Sequence, residues 1–454
     1  MKKQVNDGKF TYEVEVPVTH EADVLVVGGG PAGVSAAFAA AEMGSSVLIV
    51  EQFNCLGGVA TAGGHGHMCP YNSYGKNERV VGGYTYEIPK RIHAAGYGTF
   101  PNGSVDFEVE GMKLVLEKMA EELGVKLLYH AFFSKTIVEN GIVKGVIVQA
   151  KNGAMGIRAK QVIDCTGDGD AAASAGCDFE YGEEGTGNCQ TVTLMFTVGG
   201  VDYGRVRKVR GDDYKLRHVW AEAQKNGDMR PFQDGIMGWW WTPTRPDQLG
   251  INFTHVNYID SRKTEDLTAA TIEARKQAYE SIEVYRKYIP GMENCYMVST
   301  PNTIGLRESR RIKGEYRLTK EDLVSQRRFP DSIGYGSFFI DIHNCSGPGM
   351  DKKVFIPPNG WNYQIPYRIL VPSGINNLLV AGRCVSVDHE ALGSLRLMPQ
   401  CGIMGQAAGV AATIAIKENC EVSNVPIAKL QSELKRQKSI VDDSDVALYN
   451  KTKD

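Results

Sequence analysis

The chain has 454 residues and a formal net charge of −3, a near-neutral balance that argues against nucleic acid or an anionic membrane as the main partner. Glycine is abundant, at 51 residues, but the Gly-X-Y repeat is absent and proline numbers only 18, which excludes a collagen-like fibre. The N-terminal residues lack an apolar signal segment and no apolar stretch has the length of a membrane span, so we expect a cytoplasmic protein of roughly two to three domains.

The first third of the chain alternates between strand and helix patterns, as in a βαβ unit. The predicted elements are an edge strand over 10–18, a buried strand over 23–27, a helix over 31–43 and a second buried strand over 47–50. They are followed by a helix over 112–123, a strand over 125–129, a hairpin over 137–148 around Asn140-Gly141, and a buried strand over 161–166. The continuous apolar strands predict a parallel sheet.

The βα rhythm is interrupted in the middle of the chain. From about residue 178 strands, prolines and charged turns follow one another, with a helix predicted over 265–288; near residue 375 the rhythm returns with a strand over 377–382 and a helix of small residues over 399–417. We therefore predict an α/β protein whose Rossmann-like nucleotide-binding domain comprises residues 1–177 and 375–454. A mixed α+β substrate domain, residues 178–374, is inserted into it.

The ten cysteines are scattered so that no two lie within ten residues of each other. This spacing excludes zinc knuckles, compact iron–sulfur motifs and redox-active CxxC pairs. We expect no metal site and interpret most of the cysteines as small buried apolar residues.

A glycine motif lies between the first buried strand and the first helix. Gly28-x-Gly30-x-x-Gly33 lets the backbone turn tightly, approach a pyrophosphate at the helix N-terminus and pack helix against strand, and Glu51 ends the next strand, where an acid accepts a ribose hydroxyl. A second glycine-rich loop, 57–66, follows directly. A nicotinamide-binding unit has no need of such a loop, whereas a flavin enzyme must run its chain flat along the ribityl and the isoalloxazine. We therefore predict FAD.

The segments DVLVVGGGPAG, VLIVEQ and LGGVAT, together with residues 163–172, 377–383 and 405–412, resemble the FAD-dependent oxidoreductases of the glutathione-reductase-type fold. The resemblance is nearest to the branch of succinate dehydrogenase and fumarate reductase flavoproteins. It implies non-covalent FAD. In that branch the histidine that attaches the flavin comes before the glycine pair, whereas the histidines of this sequence come after it. The FAD-binding residues that it implies are Gly28, Gly30, Pro31, Ala32, Gly33, Glu51, Gln52, Gly57, Gly58, Thr61, Thr166, Gly167, Asp168, Gly382, Arg383, Asp388, Gly405 and Gln406.

Two of these assignments depend on details of the closing segment. In such folds the closing helix points its N-terminus at the flavin N1–C2=O edge, and we place Met404, Gly405 and Gln406 there. Asp388 is interpreted either as a ribityl partner or as an ordinary loop carboxylate.

Flavin hydride chemistry also needs a group that moves a proton and a group that holds the substrate. His65 and His67 follow the flavin-side glycine loop, and His343 is a third imidazole candidate. Arg307 belongs to an arginine-rich segment that suits either a substrate carboxylate or a salt-bridge network. Arg396 lies in a segment that resembles the substrate-contacting Asn-Arg-Leu-Gly of fumarate reductases, although the Gly-Ala-Asn that leads it there is missing.

We predict an enzyme that moves a hydride between a small or medium organic substrate and flavin N5. No second GxGxxG in strand–helix context is present, so we expect no NAD(P)H domain in this chain and expect oxygen or an external electron carrier as partner. One alternative is an enoate reductase of the fumarate type, fed by an external donor, with Arg307 and Arg396 clamping a carboxylate. A tRNA-modifying flavoprotein is disfavoured by the net charge and the short C-terminal tail, and homo-oligomerisation is left open.

Overall fold

A computed structural model of the protein describes residues 3–6, 9–211 and 213–451. The strands are β1 (Lys3–Asn6), β2 (Lys9–Tyr12), β3 (Val18–Val27), β4 (Val47–Val50), β5 (His67–Met68), β6 (Val105–Asp106), β7 (Lys126–Leu128), β8 (Phe132–Glu139), β9 (Ile142–Ala150), β10 (Gly153–Asp164), β11 (Phe179–Tyr181), β12 (Phe196–Gly199), β13 (Gly238–Thr242), β14 (Arg245–Asn252), β15 (Tyr296–Ser299), β16 (Arg310–Ile312), β17 (Ser332–Gly336), β18 (Tyr363–Pro366) and β19 (Leu378–Val380).

The helices separate many of these strands, and among the described residues four of them follow the last strand, β19. They are α1 (Pro31–Glu42), α2 (Gly83–Ala94), α3 (Val109–Glu122), α4 (Asp170–Ser174), α5 (Tyr203–Arg210), α6 (Arg217–Lys225), α7 (Thr264–Tyr288), α8 (Lys320–Val324), α9 (His389–Leu395), α10 (Met398–Glu418), α11 (Ile427–Arg436) and α12 (Asp443–Lys451). No helix in the described part of the chain is long and apolar enough to cross a membrane.

The main sheet contains five parallel strands in the order β7-β4-β3-β10-β19. The first half of β10 pairs instead with β9, which continues antiparallel to β8. β3 and β4 end in runs that are buried on both faces, as the continuous apolar patterns predicted. The predicted βαβ unit and the 137–148 hairpin are confirmed, whereas the edge strand expected over 10–18 is wrong in extent, because β2 ends at Tyr12 and β3 begins only at Val18.

Helices α1 and α10 pack against each other at very short range beside this sheet. A Cβ atom on Gly405 would lie 1.9 Å from the carbonyl oxygen of Ala32, and one on Gly409 would lie 2.1 Å from that of Ala36. Only glycine fits at these two positions. Gly405 and Gly409 therefore allow close packing of α10 against α1, the helix of the βαβ unit.

The middle of the chain has an apolar core of its own. The antiparallel sheet β13-β14-β12-β15 is packed by α5, α6 and α7 around a buried cluster of residues lying between Phe196 and Cys295. Residues between Ile312 and Val371, by contrast, belong to the core that contains the parallel sheet. The predicted boundaries at 177/178 and 374/375 remain a prediction, and the distribution of the apolar cores favours a shorter insert that ends after β15 and before Ile312.

Candidate active site

The carboxyl ends of four neighbouring parallel strands meet at one edge of the main sheet. Gly28 follows β3, Glu51 follows β4, Thr166 follows β10 by two residues and Gly382 follows β19 by two residues. Ligands of open α/β sheets bind outside the carboxyl ends of the strands. Four segments that the sequence singled out separately thus form one site, which we call the cofactor cradle.

The N-terminus of α1 is shaped for an anion. Its N-cap residue, Gly30, has no side chain to cap the free N–H groups, and the first turn carries no acidic residue. Glu51 is held beside it, since its carboxylate accepts from the N–H of Gly29 at 2.7 Å and from that of Phe53 at 2.9 Å, and burial raises the pKa of Glu51. The uncapped N–H groups suit a pyrophosphate, and the acid suits a ribose.

The second glycine loop packs directly on the first. Gly57 donates its N–H to the carbonyl of Gly29 at 2.8 Å, and a Cβ on Gly58 would lie 2.8 Å from the Cα of Gly30. Thr61 donates its hydroxyl to the carbonyl of Leu56 at 2.5 Å and so fixes the loop internally. Of the other predicted contacts, Pro31 and Ala32 lie in the first turn of α1, and Gln52 is exposed.

Two glycines of the Gly28-x-Gly30-x-x-Gly33 motif have different surroundings: Gly30 faces open space, whereas Gly33 packs against backbone. A Cβ on Gly30 would have no atom nearer than 4.0 Å, and its φ of −71° suits any residue, whereas a Cβ on Gly33 would lie 1.9 Å from the carbonyl oxygen of Gly28. We expect Gly30→Ala to fold normally but to weaken FAD binding by about tenfold or more, because the methyl group occupies the path of the pyrophosphate. Gly33→Ala should lower the free energy of unfolding by about 1–3 kcal/mol even without FAD.

Calorimetric titration of apo-protein with FAD and urea unfolding separate the two effects. Gly204→Ala, where the nearest atom to a new Cβ is 3.4 Å away, is the matched control and should change neither. Unchanged FAD affinity in Gly30→Ala would remove the α1 N-terminus from the cofactor site.

A buried aspartate that the sequence did not single out organises the third wall of the cradle. Asp164 accepts from the N–H and hydroxyl of Thr166 at 3.0 and 2.7 Å and from the N–H of Ala172 at 2.8 Å. Beyond it, Asp168 pairs with Arg383 at 3.0 Å, and a Cβ on Gly167 would lie 2.7 Å from the same guanidinium. The second terminal nitrogen of Arg383, Nη1, is buried without a hydrogen-bond partner, so this wall presents a donor to the cradle.

Four predicted FAD contacts in the closing segment need correction. Helix α10 begins at Met398, so Met404, Gly405 and Gln406 lie well inside it and not at its N-terminus. Gly405 packs on α1, and the side-chain amide of Gln406 accepts from the N–H of Tyr84 at 3.0 Å and donates to Gln437 at 3.0 Å. Asp388 caps α9, with its carboxylate accepting from the N–H of Ala391 at 2.6 Å and from that of Lys320 at 2.7 Å.

The first turn of α10 contains Gln400, a residue that the sequence analysis did not name and that is a candidate contact of the cofactor. The N-cap, Leu397, provides no side-chain cap, and both amide atoms of Gln400 are buried without a hydrogen-bond partner. A buried amide with neither atom paired is costly, so a polar ligand is expected beside it. The glycine cradle, the uncapped helix N-termini and the unpaired polar atoms of Gln400 and Arg383 together fit the pyrophosphate and the polar ring edge of FAD.

Arg396, the predicted substrate contact, is engaged by protein groups. Its guanidinium donates to the side-chain oxygen of Gln190 at 2.7 Å and to the carbonyl and carboxylate of Asp341 at 2.9 and 3.0 Å. Burial lowers its pKa, while Asp341 acts in the opposite direction. Arg396 therefore orders the residues around it, and neither Gln190 nor Asp341 was predicted from the sequence.

Arg307 is the buried cation of this region that lacks a carboxylate of its own. It donates to the carbonyl of Thr191 at 2.9 Å and to the side-chain oxygen of Asn252 at 3.3 Å, and among the described residues no carboxylate lies within 4.0 Å of it. Burial, followed by the charge of Arg396, lowers its pKa to about 9, so it remains cationic at neutral pH. A buried guanidinium with spare capacity is a binding point for an anion.

Two neutral imidazoles accompany this cation. His343 has Nε2 3.5 Å from the carboxylate of Asp341, and its Nδ1 is buried without a partner. His65 lies against Trp240, with ring centroids 4.7 Å apart. Burial lowers the pKa of each to about 3, and the charge of Arg307 contributes in the same direction. Both rings are therefore proton acceptors at neutral pH.

His67 differs from these two rings because it is paired with an acid. It lies opposite Asp106 in the β5–β6 ladder, with Nδ1 2.5 Å from the carboxylate. Although burial acts to lower its pKa, Asp106 and the neighbouring Cys69 raise it to about 10. His67 is therefore an imidazolium in an ion pair, and its charge helps to keep His65 neutral.

Comparison with known proteins places this site in a family. A family model described as FAD dependent oxidoreductase matches residues 23–434. Thiamine thiazole synthase of Aeropyrum pernix is 34% identical over 158 residues, which is 32% of this chain and 54% of that protein. Digeranylgeranylglycerophospholipid reductase 2 of Methanopyrus kandleri is 34% identical over 166 residues, 32% of this chain and 38% of the relative.

A crystal structure of a geranylgeranyl bacteriochlorophyll reductase-like protein from Thermoplasma acidophilum aligns over 95% of this chain and 87% of its own, with 18% identity and a TM-score of 0.47. The curated relatives are matched over little more than half of their length or less. The family model, in contrast, spans nearly the whole described chain and both parts of the cofactor cradle. The chain belongs to the FAD dependent oxidoreductase family, and FAD is its cofactor.

Proposed function

We propose that this enzyme oxidises or reduces a small organic acid whose carboxylate binds Arg307. The observation that carries the proposal is the buried guanidinium without a carboxylate partner, beside two imidazoles that are neutral at neutral pH. Maintaining an unpaired cation inside a protein is unfavourable, so its presence favours a ligand that supplies the missing negative charge.

The proposal gives each residue a distinct task. FAD, when bound, supplies a two-electron carrier for the hydride. Arg307 holds the carboxylate and so orients the substrate, while Asp341 and Gln190 hold Arg396 in the wall of the site. His343 or His65 accepts or returns the proton that accompanies the hydride, and the indole of Trp240 packs on His65 and limits the access of water to it.

Several finer predictions from the sequence are part of this proposal. They include the glutathione-reductase-type branch near the succinate dehydrogenase and fumarate reductase flavoproteins, oxygen or an external carrier as electron partner, and the substrate domain inserted in the middle of the chain. The fumarate-type alternative requires both Arg307 and Arg396 to clamp the substrate. The engagement of Arg396 with Asp341 makes that alternative less favourable. The substrates of the relatives are not carried over, because the matches cover about a third of this chain.

A screen of acids against their esters tests the proposal. FAD-loaded protein is mixed anaerobically with a panel of small carboxylic acids and the corresponding methyl esters, and the visible absorption of oxidised flavin is followed. We expect at least one acid to bleach the flavin, or to reoxidise flavin that was reduced beforehand, and its ester to do so much more slowly. Equal rates for acids and esters throughout the panel would contradict an anion site at Arg307.

A further inference from the structure

Gln190 and His343, in the wall around Arg307, each carry a buried polar atom that has no hydrogen-bond partner. The side-chain oxygen of Gln190 accepts from Arg396 at 2.7 Å and from the backbone N–H of His343 at 3.3 Å. Both neighbours can only donate, so the oxygen must face them and the amide nitrogen must point away. That nitrogen, Nε2, is buried and has no partner, and Gln190 is 1% exposed.

The orientation of the His343 ring follows from the same kind of argument. Its Nε2 lies 3.5 Å from the carboxylate of Asp341, which favours the tautomer with the proton on Nε2. The other nitrogen, Nδ1, then carries a lone pair, and it too is buried without a partner. The wall therefore contains one unused donor on Gln190 and one unused acceptor on His343, and the side-chain oxygen of Gln190 accepts from the backbone N–H of His343.

A donor and an acceptor presented together are complementary to a hydroxyl group, which accepts one hydrogen bond and donates another. Thr191, the next residue in the chain, accepts from Arg307 through its carbonyl at 2.9 Å. The anion-binding guanidinium and the donor–acceptor pair are thus held by two consecutive residues. A ligand that satisfies all three has a carboxylate and a hydroxyl a short distance apart.

We propose that the substrate is a hydroxy acid, whose hydroxyl donates to Nδ1 of His343 and accepts from Nε2 of Gln190 while its carboxylate binds Arg307. The inference rests on the proposed function and names its substrate class. In the oxidation, the O–H proton moves to Nδ1 of His343 and the carbinol C–H bond breaks with its electron pair. The C–O bond becomes C=O, and the carbinol hydrogen with its two electrons would pass as a hydride to FAD held in the cofactor cradle.

The test uses FAD-loaded protein and three matched pairs of acids: lactate with propionate, malate with succinate, and phenyllactate with phenylpropionate. We expect at least one hydroxy acid to bleach the flavin anaerobically. Binding of the same acids to the apo-protein, measured by calorimetry, is the second readout. There the hydroxy acid should bind at least tenfold more tightly than its partner, because a site built to hydrogen-bond a hydroxyl leaves buried groups unpaired when the hydroxyl is missing, which costs roughly that much or more.

Gln190→Glu is the informative variant because it keeps an oxygen for Arg396 and His343 and replaces the unused donor by a carboxylate oxygen, which also adds a negative charge beside Arg396. We expect it to bind both members of a pair more weakly and to lose the preference for the hydroxy acid, with FAD content unchanged. His343→Phe should retain binding of the unsubstituted acid and lose bleaching. Gln149→Glu, at an exposed position of β9, is the matched control and should behave as the wild type.

The outcomes separate the two proposals. If acids bind through Arg307 but hydroxy acids have no advantage and Gln190→Glu changes nothing, the hydroxy-acid inference is overturned while the organic-acid function stands. If no acid binds or bleaches in a way that depends on Arg307, the proposed function fails and the inference fails with it.

Discussion

Replacing Arg307 by methionine is expected to lower kcat/KM for reduction of the flavin by the acid substrate by about 100-fold or more. Truncating one partner of a buried, hydrogen-bonded charge pair costs about 2–5 kcal/mol, which corresponds to roughly 30- to 4000-fold. The loss should appear with the acid and be small with its ester, because the ester does not offer the charge that Arg307 binds. Stopped-flow reduction under anaerobic conditions measures it.

The stability of the same variant should change in the opposite direction. Arg307 is buried and has no carboxylate within 4.0 Å among the described residues, so methionine of similar volume removes a desolvated charge. We expect Tm to stay unchanged or to rise, and FAD content to be normal. A residue kept for its structural role would instead lower Tm when removed.

Arg286→Met is the matched control for this prediction. Arg286 lies on α7 and pairs with Glu283 at 2.8 Å, at the protein surface. It should leave the reduction kinetics unchanged. If Arg307→Met lowers Tm and leaves the kinetics of the folded fraction as in the wild type, Arg307 belongs to the scaffold and the anion site must be sought elsewhere.

The cofactor cradle could be predicted from the sequence because its key contacts are local. Gly28, Gly30 and Gly33 lie within one turn between a strand and a helix, and Glu51 lies at the end of the next strand, so spacing alone brings them together. The same holds for the parallel strands, whose apolar runs show burial on both faces. The helix predicted over 399–417 begins next to the observed first residue, Met398, and Pro399 marks its first turn. The placement of Met404, Gly405 and Gln406 at its N-terminus is wrong, because these residues lie well inside the same helix.

The arginine cluster could not be predicted in the same way, because its contacts join distant parts of the chain. The hydrogen bond from Arg396 to Gln190 spans 206 residues, and the one from Arg307 to Thr191 spans 116. Sequence patterns place an arginine near a strand end but do not show which carboxylate meets it. As a result the sequence offers both Arg307 and Arg396 as substrate contacts, whereas the folded chain pairs Arg396 with Asp341 and leaves Arg307 without a carboxylate within 4.0 Å among the described residues.

The FAD side and the substrate side of the site therefore depend on different features of the chain. Backbone and glycine shape most of the cradle, so we expect its affinity for FAD to depend less on side chains than the substrate side does. The substrate side depends on a few buried charges that are balanced against each other, with Asp341 as the carboxylate placed among Arg307, Arg396 and His343. Removing the negative charge of Asp341 from that balance is expected to lower stability, in contrast to removing Arg307.

Asp341→Asn is the change that should reveal this balance most strongly. It keeps an oxygen for Arg396 but removes the negative charge, which leaves two buried guanidinium groups without compensation. Breaking a buried ion pair in this way costs about 3–5 kcal/mol of the free energy of unfolding. Adding Arg307→Met to the variant should restore part of the loss, because one of the two uncompensated cations is then removed.

The pH dependence gives this prediction its sign. Burial acts to raise the pKa of Asp341, but His343, Arg396 and Arg307 together hold it far below its ordinary value. A carboxyl with a depressed folded pKa stabilises the protein above its unfolded pKa, about 3.9, and that contribution is lost as the pH falls further. Urea unfolding should therefore show a constant gap between wild type and Asp341→Asn from pH 7 to pH 5 and a shrinking gap below about pH 4. A gap that is absent at pH 7, or one that grows in acid, would mean that the carboxylate of Asp341 does not compensate the two arginines.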